Sequence, residues 1–521
     1  MRNFTFGAIS ALLLFTLSAF AANCGGLGST KLPETTIAIA TVVPAGTFAA
    51  PYGNPVKDLP EFCRVAGVIR PTADSEIHFE VWMPTAGWNE KYLGVGNGGF
   101  AGAIGFDQLG GNLKRGFATA ATDTGHQADG EDASWAYKHP EKINDFGWRA
   151  LHLTTEIAKR LTELYYGAPA KHSYFDACSD GGREALMEAQ RFPADFDGIL
   201  AGAPAYNWTK LLAGGAANFH VLRDPSAYIS EMKLPAISAA TLAACDAQDG
   251  VNDGIIGDPS QCHFDPSVLL CKDGDSLTCL TAPQVGFLKS LYAGAFNSHG
   301  ELLFPGHTPG AEMGPGGWGA WILGSGPGSG AGADFFQNYF RYMVFDDPAW
   351  NPFSATVDSA VHAADEKTAR ALNATNPDLR PFEKHGGKLI LYHGWNDPAI
   401  APQSTVDYYT AVRAKVGAVD TDKFVRLYMV PGMQHCIGGP GATVLGQFGT
   451  QTTDDGAFGA LERWVEKGIE PKDIVATKYK SDVPKLGVQM TRPLCPYPQV
   501  AKYKGSGDTN DRLSFVCSAS R

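Results

Sequence analysis

The chain has no run of basic residues. Its 42 Lys and Arg are outnumbered by 54 Asp and Glu, for a net charge of −12, which argues against nucleic acid as a partner. Charge is also sparse, at 18% of residues against 44% apolar, a balance of folded globular chains rather than disordered ones. Beyond residue 20 no uninterrupted apolar run is long enough to span a bilayer. No internal repeat and no true low-complexity linker is present. What remains is a long globular chain of 521 residues, more than one hydrophobic core usually supports, so a large domain with an insertion is expected.

The one apolar run, Phe6 to Phe20, follows Met1-Arg-Asn and ends in Ala19-Phe-Ala21. This is the pattern of a cleaved secretory signal, residues 1–21. Cys24 follows closely, but Asn23 before it is too large for a lipidation site, so an exported chain without a membrane anchor is expected, periplasmic or secreted. Ten cysteines, all after the cleavage point, fit an oxidising destination. Neighbours in sequence suggest Cys245 with Cys262, Cys271 with Cys279 and Cys495 with Cys517, leaving Cys24, Cys63, Cys178 and Cys436.

Residues 30–70 are punctuated by Pro and Gly, with short β-branched pieces; strands are expected at 77–83, 92–95 and 116–123, the second running into a glycine-rich loop, Gly96-Asn-Gly-Gly-Phe. Apolar residues at helical spacing from Ile143 to Tyr166 predict a helix stopped by Gly167. A strand then leads through Ala177-Cys-Ser-Asp-Gly181 into a helix over 183–191, and another strand follows at 196–204. This alternation predicts an α/β fold with a mostly parallel sheet. Between 205 and 380 the texture turns Gly-rich and irregular, as in an inserted lid; apolar strands resume at 387–394 and 424–430. The expected organisation is therefore a core in two parts, 22–204 and 381–521, with the lid between them.

Ala-Cys-Ser-Asp-Gly is one step from G-x-S-x-G, the small-residue turn that lifts a serine clear of its neighbours. In a parallel sheet the strand ends meet at one edge, and two other strand ends there carry Asp397 and His435. Serine needs a base to take its proton, and the imidazole needs a carboxylate to set its tautomer. The order Ser179, Asp397, His435 fits that requirement; Asp420 and Asp422 precede their strand and belong to the opposite edge. Cys178 directly precedes Ser179 and Cys436 directly follows His435. A bond between them would hold its two Cα atoms roughly 4.4–6.8 Å apart and with them the serine and the histidine.

Cys-Ser-x-Gly-Gly-Arg, His-Gly-x-x-Asp and Gly-x-x-His-Cys together resemble the tannase/feruloyl esterase family, which also contains the bacterial mono(2-hydroxyethyl) terephthalate hydrolase. The resemblance spans the mature chain. It implies an α/β-hydrolase core with a lid, the triad Ser179, Asp397 and His435, the disulfide Cys178–Cys436, and Cys24–Cys63 for the remaining pair. Ala177 replaces the family's usual glycine with another small residue. Oxyanion donors are expected from the amide of Asp180 and from Gly98 or Gly99.

The resemblance also implies a structural calcium ion in the lid, held by Asp246, Asp249 and Asp253 with the carbonyls of Val251 and Ile255. Carboxylates interleaved with glycines supply the hard oxygens calcium takes. In the lid Trp318, Trp321, Phe335, Phe336, Tyr339 and Phe340 form an aromatic group, expected as lid core more than as pocket wall. Arg341 is expected to pair with Asp346 or Asp347 rather than with a substrate carboxylate.

The function expected is a carboxylic ester hydrolase acting on small aromatic esters, feruloyl or galloyl, free or attached to plant polymer, with no organic cofactor. A terephthalate monoester hydrolase is the alternative within the class. A serine peptidase on the same core and a non-catalytic secreted binding protein are the alternatives outside it.

Overall fold

The computed structural model describes residues 23–449 and 455–519; the expected signal segment lies outside them. Nine strands form one sheet: β1 (Thr35–Val43), β2 (Phe62–Ile69), β3 (Ile77–Pro84), β4 (Lys91–Val95), β5 (Ala118–Thr122), β6 (His172–Cys178), β7 (Gly198–Gly202), β8 (Lys388–Gly394) and β9 (Val425–Val430). Their order is β1-β2-β3-β5-β4-β6-β7-β8-β9. From β5 to β9 every pairing is parallel, and β1, β2, β3 and β5 are antiparallel. The sheet is thus mostly parallel, with an antiparallel end.

The strands from β5 onward read as apolar runs because both faces are covered. Phe175, Ile199, Leu391 and Leu427 pack on one face with Leu161 of α1 (Ala150–Tyr166), Leu186 of α2 (Asp180–Arg191) and Val412 of α4 (Gln403–Val416). Their neighbours Tyr174, Leu200, Ile390 and Tyr428 face the other way, onto Phe458, Leu461 and Trp464 of α5 (Ala457–Lys467). Fully burying one such side chain contributes roughly 1.5–3 kcal/mol.

Two helix starts differ from the pattern in the sequence. α2 begins at Asp180, straight after the turn, not at 183. The helix expected from Ile143 is interrupted by a π turn, Asp145–Arg149, before α1. Its wider turn exposes carbonyls that buried Arg183 takes: the guanidinium donates to Gly147 O at 2.6 Å and Phe146 O at 3.1 Å. Gly167, at φ 74°, ends α1 as expected.

Between β7 and β8, the described chain adds no strand to the nine-stranded sheet. α3 (Trp208–Val221) packs with Phe336, Tyr339 and Phe340 against Phe100 and Phe146 of the core, and Leu222, Ile237, Leu288 and Trp318 gather in a separate apolar cluster. Five disulfides are present: Cys24–Cys63, Cys178–Cys436, Cys245–Cys262, Cys271–Cys279 and Cys495–Cys517. Among the described residues no helix is long and apolar enough to cross a membrane.

Candidate active site

β6 ends at Cys178 and α2 starts at Asp180, so Ser179 must turn the chain in a single residue. It does so at φ 68°, ψ −123°, a conformation costly for a residue with a Cβ and characteristic of strained functional turns. The turn closes because its surroundings are small. A Cβ at Gly181 would lie 2.6 Å from the Ala177 methyl and 2.8 Å from Asn97 O. The alanine at 177 is therefore accommodated by glycine opposite it.

The loops after β8 and β9 are tied to each other. Trp395 N donates to Val430 O at 2.9 Å and Asn396 N to Met433 O at 2.9 Å. This places Asp397 beside His435. His435 Nδ1 lies 2.8 Å from Asp397 Oδ2, and Nε2 lies 2.8 Å from Ser179 Oγ. Cys178 and Cys436, bonded with their Cα atoms 6.0 Å apart, bracket the serine and the histidine. The result is a continuous carboxylate–imidazole–hydroxyl chain, in which the imidazole can take the hydroxyl proton while the carboxylate stabilises the cation that forms.

Asp397 is fully buried. Burial alone would raise its pKa, but the charge of His435 and hydrogen bonds from His393 and His435 outweigh it and hold the carboxyl below its usual range. Oδ1 accepts from the amides of Ala399 at 2.8 Å and Ile400 at 3.0 Å. His393 was visible only as the first residue of its motif, and the sequence offered no role for it. Its Nε2 lies 3.1 Å from both Asp397 Oδ2 and Ile400 O. Both are acceptors, so this nitrogen carries the proton, and a second imidazole braces the carboxylate. We expect His393→Leu to lower kcat roughly tenfold. With one donor gone, the Asp397 charge acts more fully on His435, so the acid limb of the kcat/KM–pH profile should move to higher pH; an unmoved limb would mean that His393 only fills space.

Asp180, Gly98 and Gly99 all line the cavity above Ser179. Among the described residues none of their amides donates to a backbone carbonyl, so three N–H groups remain available in the residues that line the cavity. Glu184, another residue the sequence reading passed over, fixes that loop: its Oε2 accepts from Asn97 N at 2.9 Å. Burial, then the charge of Asp180, pushes its carboxyl up to about 8 against the pull of Arg183.

The cavity has a volume of about 560 Å³ and runs from Ser179 and His435 along α3. Trp321 meets the His435 ring edge-on at 5.2 Å and stacks on Phe335 at 6.0 Å. The aromatic group in the 318–340 stretch therefore divides. Trp321 and Phe335 line the cavity, whereas Trp318, Phe336, Tyr339 and Phe340 are buried in the apolar clusters. Arg341 forms no ion pair with Asp346 or Asp347, contrary to expectation. It donates to Gln337 Oε1 at 3.3 Å and approaches Trp350 O at 3.5 Å, because Asp346 is taken by Lys367 at 3.1 Å.

The tannase and feruloyl esterase family model matches residues 63–518. An esterase described as uncharacterized, from Xanthomonas campestris pv. campestris, is 44% identical over 98% of this chain and 94% of its own. A probable feruloyl esterase B-2 of Aspergillus flavus is 34% identical over 87% and 88%. The crystal structure of feruloyl esterase B from Aspergillus oryzae superposes with a TM-score of 0.87 at 29% identity, over 95% of this chain and 99% of that one.

The chain belongs to the tannase and feruloyl esterase family.

It is a carboxylic ester hydrolase with an α/β-hydrolase fold, and the Ser179 cavity sits where the strand ends of such a sheet converge.

The loop expected to hold calcium in this family member is clamped at its ends by Cys245–Cys262. Burial first, then the charges of Asp253 and Asp246, push the Asp249 carboxyl up to about 6 against a hydrogen bond from the Val251 amide. Hard carboxylate oxygens of one sign are the donors a divalent cation takes, but in this conformation one oxygen from each of Asp246, Asp249 and Asp253 does not come within 4.8 Å of the others. As the loop stands, the carboxylates bond its own amides: Asp246 takes Gly254 N at 3.0 Å and Asp249 takes Val251 N at 3.0 Å, while Arg492 lies 2.7 Å from Asp253 Oδ2. Val251 and Ile255 are buried beside them. Elsewhere, the ligand atoms of His152, Glu188 and Asp195 lie within 4.8 Å of one another, but there the Lys159 ammonium already donates to the Asp195 carbonyl.

Proposed function

We propose that this chain is an exported serine esterase that cleaves esters of aromatic acids, feruloyl or galloyl, through an acyl-enzyme. The observation that carries the reading is the unbroken Asp397–His435–Ser179 chain, with both links at 2.8 Å, at the floor of a cavity walled by Trp321 and Phe335. The names of its relatives, feruloyl esterases among them, support the same acyl class.

In this reading Ser179 Oγ attacks the ester carbonyl carbon as His435 Nε2 takes the hydroxyl proton. The charge that develops on the carbonyl oxygen is met by the amides of Asp180 and of Gly98 or Gly99. Collapse of the tetrahedral adduct expels the alcohol, which receives its proton from His435. Water then attacks the acyl-enzyme with His435 again as base, releasing the acid and restoring the serine. Asp397 keeps Nδ1 protonated throughout. Residues 205–380 serve as the lid over the acyl group. Their contacts with the triad loops support this: Gln434 Nε2 donates to Met313 O at 2.8 Å and Asn396 Nδ2 to Gly310 O at 2.6 Å.

A panel of ferulate, gallate, terephthalate monoester, acetate and p-nitroanilide substrates tests the acyl class. The feruloyl or galloyl ester should have the highest kcat/KM; exclusive cleavage of the anilide would make the chain a peptidase instead.

Calcium in the 246–255 loop is part of the same proposal, with a structural role. Asp246, Asp249 and Asp253 would hold it, aided by the carbonyls of Val251 and Ile255, and it would neutralise their mutual repulsion. Metal analysis of the purified protein should find calcium that is lost in Asp249→Ala/Asp253→Ala, with a lower Tm and little change in kcat. Unchanged calcium content in that variant would refute the site. Export is supported by the five disulfides, which persist in oxidising compartments.

A further inference from the structure

The charge of the cavity wall narrows the substrate class, given the esterase reading above. The described lining contains no Lys and no Arg. The wall beyond the triad is mostly apolar, with Trp208, Leu211, Leu212, Phe219, Trp321 and Phe335 among its residues. Its polar side chains, Asn97, Gln108, Asn218, Ser290 and His307, are uncharged, burial holding the His307 imidazole below its usual pKa.

Two arginines near the site are engaged elsewhere. Arg183 sits behind Trp208, its guanidinium 5.3 Å from that ring, fully buried and donating to Asp180 and to the Phe146 and Gly147 carbonyls. Arg341 is absent from the lining, and its guanidinium turns to Gln337 Oε1 at 3.3 Å and approaches Trp350 O at 3.5 Å. The only acidic side chain among the lining residues is that of Asp180, and buried Asp397 adds a second negative charge behind His435.

A cavity of about 560 Å³ is of the size that encloses most of a drug-sized ligand. A substituent on an acyl ring that extends from Ser179 along α3 would lie against this wall. A carboxylate there would leave water with no cation to receive it and with negative charge nearby, and an unpaired buried charge is strongly disfavoured. An amide or hydroxyl at the same position loses far less.

We propose that the cavity selects uncharged acyl groups: esters of aromatic monocarboxylic acids are substrates, and monoesters of aromatic dicarboxylic acids, whose second carboxyl is free and ionised, are excluded.

The test uses p-nitrophenyl esters of 4-methylbenzoic, 4-carbamoylbenzoic and 4-carboxybenzoic acids, each kcat/KM divided by the ester's rate of alkaline hydrolysis. The carbamoyl ester matches the carboxylate in size and polarity and differs in charge. Both neutral esters should exceed the carboxylate by a factor on the order of 100 or more. A carboxylate within tenfold of its carbamoyl partner overturns the proposal. The p-nitrophenyl acetate ester and Ser179→Ala are run alongside. Acetate outrunning all three would defeat the aromatic reading, and turnover surviving in Ser179→Ala would defeat the serine mechanism. In both cases the carbamoyl-to-carboxylate ratio still decides the question of charge.

Discussion

Ser179→Ala is expected to lower kcat for ester hydrolysis by about 10⁵-fold or more while leaving KM within a few-fold of its native value. Removing the nucleophile of a serine triad costs nearly as much as removing the whole triad, because the three groups act as one unit; what survives comes from substrate binding and oxyanion stabilisation. Alanine should be accepted at this position. Ser179 already holds φ 68° with a Cβ, and its backbone bonds, N to Gly202 O at 3.0 Å and O from Arg183 N and Ala205 N at 3.1 Å each, do not involve the hydroxyl. Steady-state kinetics beside a thermal unfolding curve separates the two effects: the Tm should stay close to native as the rate collapses.

Removing the disulfide that joins Cys178 to Cys436 should be the next largest change. The two residues are 258 apart in sequence, and closing so long a loop in the unfolded chain is worth roughly 5 kcal/mol by the entropic account, with 2–4 kcal/mol more typical of measured bonds. The kinetic loss should exceed what stability explains. The bond ties the residue before Ser179 to the residue after His435, and Cys436 holds a left-handed conformation, φ 65°, as the chain leaves His435. Without it the 2.8 Å contact between His435 Nε2 and Ser179 Oγ relies on loop packing alone, and small misplacements of reacting groups can cost about 100-fold. Cys178→Ala/Cys436→Ala, assayed at a temperature where it remains folded, should show kcat reduced by that order and a lowered unfolding midpoint in denaturant. Native kcat in the folded variant would mean that the bond braces the fold and not the site.

Much of the site was legible because its residues announce one another along the chain. Ser179 alone was an imperfect turn motif, and His435 alone was one of thirteen histidines; the adjoining cysteines linked them. The parallel strands were legible too, since burial on both faces turns them into apolar runs. The π turn at Asp145–Arg149 was not, because the apolar spacing of one wide turn differs too little from that of an α-helix. Its carbonyls are met by the distant guanidinium of Arg183. His393 and Glu184 were missed for a related reason: each acts by holding another group, Asp397 or the Asn97 amide, and a supporting contact across the fold leaves no local pattern. The aromatic cluster in the 318–340 stretch gave an ambiguous signal because its spacing did not reveal which rings, Trp321 and Phe335, would face the cavity.

The central claim is that catalysis passes through a covalent bond to Ser179. Mass spectrometry after incubation with a p-nitrophenyl alkylphosphonate tests it most directly. The account predicts one adduct per chain, on the peptide containing Ser179, formed in step with loss of activity, slowed by substrate and absent from Ser179→Ala. Full activity without an adduct, or an inactivating adduct on another residue with Ser179 unmodified, would contradict it.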